Sequence, residues 1–331
     1  MLNTRLCGLL GIEHPVVLGG MAGGTTPDLV AAVSNAGGLG IQGVGSGRDL
    51  PTPAAALAER IRALTDRPFG LNMLLFMADD DAITATLAAN PPVFSTAWPA
   101  PEQDLEAVFA RAHAGGAHVL HMVATVHEAY RAAEAGADVI VAQGTEGGGH
   151  VGVMGTLPLV RMVVRAVAPL PVVAAGGIAD GAGLAAALML GAEGVLLGTR
   201  LLATLESPLH PAYRQAICDS DGHDTFLTEM PDVVVGATWP GAYVRVRRNR
   251  IMQEWSGREG EVRAHRVELA GRFRQAREQG DVDNGVLLMG QDAGLIDRVE
   301  PAADVVQRIV NEAEELLVGR AAGLVGERTT V

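Results

Sequence analysis

Residues 172–200, VVAAGGIADGAGLAAALMLGAEGVLLGTR, contain a complete strand–helix–strand unit. Two short apolar runs, Val172–Ala175 and Gly194–Leu197, flank an alanine-rich segment, Gly181–Leu190, that predicts a helix. The runs are continuously apolar rather than alternating, which is typical of parallel strands buried on both faces. The stretch therefore predicts a parallel sheet whose neighbouring strands are joined by a helix.

The same alternation runs from the start of the chain to about Thr204. Eight apolar runs predict strands, at Pro15–Leu18, Gly38–Gly43, Gly70–Phe76, Val93–Trp98, His118–Ala124, Asp138–Gln143, Val172–Ala175 and Gly194–Leu197. The segments between them predict helices, at Thr26–Ala36, Pro53–Leu64, Asp79–Ala89, Asp104–Ala114, Val126–Ala135, Pro158–Val167 and Gly181–Leu190. Eight cycles predict an α/β fold, a (β/α)8 TIM barrel. An open doubly wound sheet is the alternative, but no G-x-G-x-x-G follows the first strand.

The composition of the chain changes after Glu206, where charged residues become more frequent and predicted strands become rare. We expect residues 1–206 to form the barrel and residues 207–300 to form an appended, mostly helical region on the substrate side. The run Arg245–Arg250 interrupts the apolar pattern there. Val305–Leu317 has helical apolar spacing, so residues 301–331 predict a C-terminal helix that packs back on the barrel and ends in a frayed tail.

Composition excludes several classes of protein. All 25 basic residues among the 331 are arginines, so Schiff-base aldolases, pyridoxal-phosphate enzymes and P-loop proteins are excluded, since each needs a lysine. The formal net charge of −13 argues against nucleic acid and anionic membranes as partners. No stretch has the length and apolarity of a membrane span.

The two cysteines, Cys7 and Cys218, lie too far apart in sequence for a metal motif, and no metal site is predicted. Their number also gives no disulfide framework, which fits a reducing cytoplasm. The sequence leaves the oligomeric state open and is compatible with a homo-oligomer.

A Gly-Gly pair follows the seventh predicted strand, and a Gly-Thr pair follows the eighth. Gly176 and Gly177 end the seventh strand, and Gly198 and Thr199 follow the eighth. Adjacent loops at this end of a barrel commonly bind phosphate through backbone N–H groups, which requires no lysine. The alternative is that these glycines only make tight turns.

The sixth strand ends in a loop in which five of the nine residues from 144 to 152 are glycine. Such a loop allows the backbone to approach a flat ligand closely, although ordering it costs chain entropy. His150 in this loop is placed to exchange a proton at the mouth of the barrel. The alternative for a lone histidine is a structural hydrogen bond.

Polar residues in or after other strands also have two interpretations, a ligand-binding role and a purely structural one. Asn72 lies inside the third strand and Gln143 ends the sixth, so each amide needs either backbone partners or the edge of a heterocycle. Met21, after the first strand, either faces an aromatic ring or fills the core.

The chain resembles the nitronate monooxygenase family, formerly the 2-nitropropane dioxygenases, which are FMN-dependent barrels. The resemblance covers nearly the whole chain. The matching segments are Pro15–Ala22, Asn35–Gly40, Pro68–Asn72, Ala142–His150, Ala174–Ile178, Asp180–Gly181, Ala192–Val195, Gly198–Arg200, Gly290–Gln291 and Gly294–Ile296.

The resemblance implies a role for each matched position. It implies that Met21 and Ala22 line the flavin, that Gly177, Gly198 and Thr199 hold the phosphate, and that His150 is the catalytic histidine. With the loops above, the predicted cofactor-binding residues are Gly20, Met21, Ala22, Asn72, Gln143, Gly148, Gly176, Gly177, Gly198 and Thr199. The implied reaction oxidises alkyl nitronates, and in some members nitroalkanes, with O2 to carbonyl compounds and nitrite.

The family also contains NAD(P)H-dependent quinone reductases and enoyl-acyl-carrier-protein reductases, which are the alternative. Some of these relatives carry lysine on the fifth strand, where this chain has Met122, and that difference favours the monooxygenase. Gly147 stands where alanine is commoner in monooxygenases, so the subgroup stays open. In the appended region, Trp239, Pro240 and Tyr243 either line the substrate site or are packing residues.

Overall fold

The structure is a computed structural model, and it describes residues 2–45 and 53–324. The strands in these ranges are β1 (Val16–Leu18), β2 (Gly40–Gly43), β3 (Phe69–Leu74), β4 (Val93–Ala97), β5 (His118–Val123), β6 (Val139–Gln143), β7 (Gly149–Val151), β8 (Val172–Ala175), β9 (Gly194–Leu197), β10 (Thr225–Thr228) and β11 (Tyr243–Arg247). The predicted tail at 327–331 lies outside the described residues.

Eight of these strands form one parallel sheet in the order β1-β9-β8-β6-β5-β4-β3-β2. The first and last strands of this order, β1 and β2, also meet. Val17 forms a parallel bridge with Leu39, next to β2, and the Leu18 N–H donates to the Leu39 carbonyl at 2.8 Å. The sheet is therefore closed, and the prediction of a (β/α)8 TIM barrel is confirmed.

The helices lie between the strands and follow them in the C-terminal region. They are α1 (Arg5–Leu10), α2 (Pro27–Asn35), α3 (Ala54–Arg62), α4 (Asp80–Ala88), α5 (Leu105–Ala114), α6 (Val126–Glu134), α7 (Thr156–Val167), α8 (Gly181–Met189), α9 (Thr199–Leu202), α10 (Pro211–Cys218), α11 (Met230–Val235), α12 (Arg250–Trp255), α13 (Glu259–Ala264), α14 (Arg266–Gln279), α15 (Ala302–Glu315) and α16 (Ala321–Leu324).

Short polar side chains begin several barrel helices. The Thr26 hydroxyl accepts the Leu29 N–H, and Thr125 with Glu128 forms a capping box at the start of α6. Asp79, Asp104 and Asp180 cap α4, α5 and α8 in the same way. These local signals explain why the predicted bounds of the barrel elements lie within two residues of the observed ones.

Helix α1 closes the N-terminal end of the barrel. Its Leu6 and Leu10 are buried in one cluster with inward-facing strand residues such as Ile41 and Val141. The opposite end, where the strands terminate, is left for a site. Helix α15 lies against α2 and α8, and the Gly181 N–H donates to the Glu312 carboxylate at 2.8 Å.

The appended region contributes helices and two strands, and these strands extend β7 into a three-stranded antiparallel sheet in the order β10-β11-β7. The arginine run that interrupts the apolar pattern begins within the central strand of this sheet, Tyr243–Arg247. Val244 and Val246 are buried on one side, and Arg245 and Arg247 alternate with them. Arg245 donates from Nε to the Thr145 carbonyl at 2.9 Å, so this buried N–H has a partner. No helix within residues 2–45 and 53–324 has the length and apolarity needed to cross a bilayer.

Candidate active site

A cavity of about 430 Å³ opens at the C-terminal ends of the barrel strands. Every residue predicted for the site lines it. These residues are Gly20, Met21, Ala22, Asn72, Gln143, Gly148, His150, Gly176, Gly177, Gly198 and Thr199. These residues lie on five barrel strands, β1, β3, β6, β8 and β9, or in the loops that follow them, and they converge on one space. Their roles toward a cofactor stay predictions.

The glycine loops after β8 and β9 form one end of the cavity. Gly176 has φ of +94° and Gly177 has φ of +74°, a conformation that only glycine adopts without strain. Thr199 begins α9, and its hydroxyl accepts the Gly290 N–H at 2.9 Å. This bond attaches a segment from the far end of the chain, residues 290–292, to the predicted phosphate loops.

The two amides predicted to meet a heterocycle differ in their partners. Asn72 donates to the Gly20 carbonyl at 3.1 Å and accepts from the Ser95 hydroxyl at 2.9 Å, so protein groups hold it in place. The Gln143 amide oxygen is buried without a hydrogen-bond partner and lies in the cavity wall. A buried acceptor of this kind fits a ligand that presents an N–H, as the pyrimidine edge of a flavin does.

The loop after β6 is held against the C-terminal segment. A Cβ added at Gly148 would lie 2.5 Å from the Met289 carbonyl carbon and 2.6 Å from the Gly290 nitrogen, so glycine is required for this approach. Immediately beyond it, β7 pairs with β11, and His150 lies opposite Val244. This pairing fixes the backbone of His150 at the cavity wall.

The His150 imidazole is held on two sides. Its Nε2 lies 2.9 Å from Oδ1 of Asp232, and the ring stacks on Trp239 with centroids 3.3 Å apart and planes 11° apart. The histidine and aspartate side chains are only 16% and 11% exposed. Sequence reasoning missed Asp232, since α11 lies about 80 residues further along the chain and carries no motif.

Aromatic residues cover the cavity beside His150. Trp239 packs against Phe76 and Trp98, with centroids 4.8 and 6.1 Å away. Trp98 has φ of +51°, which is strained for a bulky residue and places its ring between this cavity and a neighbouring one of about 300 Å³. Trp239 therefore lies at the site, whereas Pro240 lines the second cavity and Tyr243 is exposed.

Three further residues of the cavity wall had no sequence signal. Arg277 of α14 donates to the Gly23 carbonyl at 2.6 Å. Burial raises the pKa of Tyr213, whose hydroxyl donates to the Asp281 carbonyl at 3.1 Å. Asp292 lies in the wall of the same cavity as Gly198 and Thr199, which are predicted to hold phosphate, and is 5% exposed. All three come from the appended region, which the barrel pattern does not describe.

The arrangement combines an apolar, roofed cavity, a histidine fixed by a carboxylate and a set of backbone donors at the opposite end. It suits a flat anionic cofactor and a small reactant that exchanges a proton with His150. In the described part of the chain, no group of three or more His, Cys, Asp or Glu side chains could hold a metal ion.

Comparison with known proteins identifies the family. The family model described as nitronate monooxygenase matches residues 3–90 and 76–312. A Mycobacterium tuberculosis protein named (3aS,4S,5R,7aS)-5-hydroxy-7a-methyl-1-oxo-octahydro-1H-indene-4-carboxyl-CoA dehydrogenase is 35% identical, with 94% of this chain and 96% of that protein covered. A probable nitronate monooxygenase of Staphylococcus aureus is 31% identical, with 95% and 98% covered.

A solved structure is also similar over the full length. FabK from Thermotoga maritima superposes with a TM-score of 0.85 at 36% identity, covering 98% of this chain and all of that chain. The chain thus belongs to the nitronate monooxygenase family, whose enzymes are flavin-dependent oxidoreductases acting on small molecules.

Proposed function

We propose that this member of the nitronate monooxygenase family is an FMN-dependent, cytoplasmic enzyme that oxidises alkyl nitronates with O2 to carbonyl compounds and nitrite, and that it also accepts nitroalkanes. The observation that carries the proposal is that His150, in the wall of the mostly apolar cavity, pairs with Asp232 at 2.9 Å. A base that is fixed in this way suits a substrate whose reactive form is made by loss of a proton from carbon.

The chain's own groups fit FMN. The backbone N–H groups around Gly177 and Gly198 would hold its phosphate, and the orphaned amide oxygen of Gln143 would accept from the ring edge. Met21 and Ala22 line the space for the ring system. FMN, when bound, supplies the electron acceptor and the reactivity toward O2, which no side chain here provides.

His150 would hold and move the proton. A carboxylate can only accept, so the contact with Asp232 favours the tautomer with hydrogen on Nε2 and a lone pair on Nδ1. That lone pair would remove the α-proton of a neutral nitroalkane. The protonated ring would instead orient a nitronate that arrives already ionised, with Asp232 stabilising the positive charge.

The aromatic roof would exclude water from the reacting atoms. Trp98, Trp239 and Phe76 enclose the space beside His150 and leave apolar surface for an alkyl group. Exclusion of water strengthens the interaction of the imidazole with an anionic nitronate.

A second candidate is a flavin-dependent reductase or dehydrogenase that uses a nicotinamide cofactor. It is favoured by the names of similar proteins, because the M. tuberculosis relative at 35% identity is a carboxyl-CoA dehydrogenase and the nitronate monooxygenase relative is 31% identical. The quinone reductases and enoyl-acyl-carrier-protein reductases are the reductase types of this candidate.

Anaerobic mixing separates the two candidates. The purified protein should be yellow, and propionate-3-nitronate should bleach its absorbance near 450 nm faster than NADH or NADPH does. Admitting air should then yield nitrite. Bleaching by NADH or NADPH alone would support the reductase instead, and a colourless protein that takes up no FMN would contradict both.

A further inference from the structure

Asp292 occupies an unexpected place for an acid. It lies in the wall of the large cavity together with Gly198 and Thr199, the residues predicted to hold phosphate. Asp292 is 5% exposed, and its carboxyl group forms no ion pair within the described part of the chain. A carboxylate at this position would face the two negative charges of a phosphate monoester.

The loop around Asp292 is fixed to the phosphate end by backbone bonds. The Gly290 N–H donates to the Thr199 hydroxyl at 2.9 Å, and the Gln291 N–H donates to the Glu146 carbonyl at 2.9 Å. Residues 291–295 then form a short 3-10 turn. These bonds hold the backbone next to Asp292 against the loops.

The charged groups around Asp292 do not neutralise it. Arg200 is the cation whose charge acts on Asp292, but its guanidinium donates to the Ala203 and Arg298 carbonyls and lies 3.9 Å from Glu300. On the other side, the Glu146 carboxylate is bound by the Thr156 N–H and hydroxyl. Arg245, which faces Glu146, is bound to Thr145 and Thr225.

Burial dominates the titration of this group. Desolvation raises the pKa of Asp292 to about 7, and its own backbone N–H, the Thr199 hydroxyl and the charge of Arg200 oppose the shift only partly. Arg308, Asp297 and Cys218 are the other titratable groups that act on Arg200. Burial raises the pKa of Cys218, so its thiol adds no charge at neutral pH. An approaching phosphate adds negative charge and favours the protonated form of Asp292 further.

We propose that Asp292 binds the cofactor phosphate as a neutral carboxylic acid, donating its O–H to a phosphate oxygen in a site that has no lysine. The inference rests on the proposed function, since it presupposes FMN. Cofactor binding is then linked to a proton on the protein, and the affinity for FMN falls once the solution pH favours the carboxylate.

The test is the dissociation constant of FMN between pH 7 and pH 9, measured by flavin fluorescence on the holoprotein after dilution. A phosphate monoester has a pKa near 6 and is a dianion throughout this range, so a pH dependence there reports the protein. We expect the wild-type constant to rise with pH, by up to about tenfold per pH unit.

Three variants make the test specific. Asp292→Asn keeps the shape and a permanent N–H donor, so it should retain FMN with a flat pH profile. Asp292→Ala should lose FMN at all pH values. Asp297→Asn, which changes an exposed acid five residues away, should behave as wild type. The 31P resonance of bound FMN should titrate in the wild type and not in Asp292→Asn.

A flat wild-type profile, or equal loss of FMN in the Asn and Ala variants, would overturn the role of Asp292. Either result would leave the proposed function standing, because FMN would still bind to the wild type. A wild-type protein that binds no FMN at pH 7 would instead contradict the proposed function itself.

Discussion

Nε2 of His150 and Oδ1 of Asp232 lie 2.9 Å apart, although 82 positions separate the two residues in the chain. The pairing of β7 with β11 brings the histidine beneath the appended region, and α11 supplies the carboxylate from above. The barrel thus contributes the candidate base, and the appended region contributes the group that orients it.

Replacing the members of this pair should separate proton transfer from cofactor binding. His150→Ala should lower turnover of a neutral nitroalkane by about 10²- to 10⁴-fold, because the base is lost. Asp232→Asn should lower it less, by roughly tenfold or more, because the amide no longer selects the Nε2-protonated tautomer. Steady-state kinetics and the 450 nm absorbance measure both effects. Unchanged turnover, or loss of flavin in step with activity, would contradict this assignment.

Trp239 should act by holding the His150 ring and closing the cavity. A stacked pair of this kind is worth about 0.5–1.5 kcal/mol, so Trp239→Ala should lower kcat/KM by up to about tenfold. Trp239→Phe keeps an aromatic face and should lose much less. The ratio of the two kcat/KM values is the measurement. Equal losses in both variants would show that the indole serves another purpose.

Gly148 and Gly149 form a matched pair of neighbours. In Gly148→Ala the new Cβ would meet the backbone at 2.5–2.7 Å, which should cost about 1–3 kcal/mol and loosen the contact with residues 289–290. Gly149→Ala meets no atom within 4 Å and carries only the strain of φ +76°, about 1–2 kcal/mol. We expect FMN retention to fall in the first variant alone, with chemical unfolding as the parallel measurement. Retention of FMN by Gly148→Ala at wild-type affinity would refute the close approach as a requirement.

His121 should make the fold sensitive to acid. It is fully enclosed beside Thr96 and Phe109, and burial, followed by the charge of Arg131, lowers the pKa of His121 from 6.5 to about 3. Between these values the unfolded chain binds a proton that the folded chain does not, so this contribution to stability is full above pH 6.5 and falls as the pH drops. The slope is about 1.4 kcal/mol per pH unit.

The comparison is between urea unfolding of the wild type and of His121→Asn at pH 7.5 and pH 5. The variant should lose less free energy of unfolding over this interval, by up to about 2 kcal/mol. His127→Asn, at an exposed position, serves as the control and should follow the wild type. If the free energy of unfolding falls equally in all three proteins, groups other than His121 cause the acid sensitivity.

Local patterns in the sequence determined the barrel. Three local features indicate the barrel: continuously apolar strands, the helix caps at Thr26 and Asp180, and the glycines after the strands. Each depends on only a few neighbouring residues, so each can be recognised from the sequence. The same holds for the candidate cavity, because the ends of parallel barrel strands must converge at one rim. Eleven predicted residues line one space for that reason.

Only the tertiary structure determined which residues of the appended region pack against the barrel and its cavity. Arg245 lies on a buried strand because β7 of the barrel and β10 of the appended region pair with it on either side, a partnership that no local pattern encodes. Asp292 reaches the cavity, and Asp232 reaches the imidazole of His150, for the same reason, from segments distant in sequence. The absence of lysine was evident from composition, but which buried acid lies beside the predicted phosphate loops depends on how the C-terminal segment packs on the loops after β8 and β9.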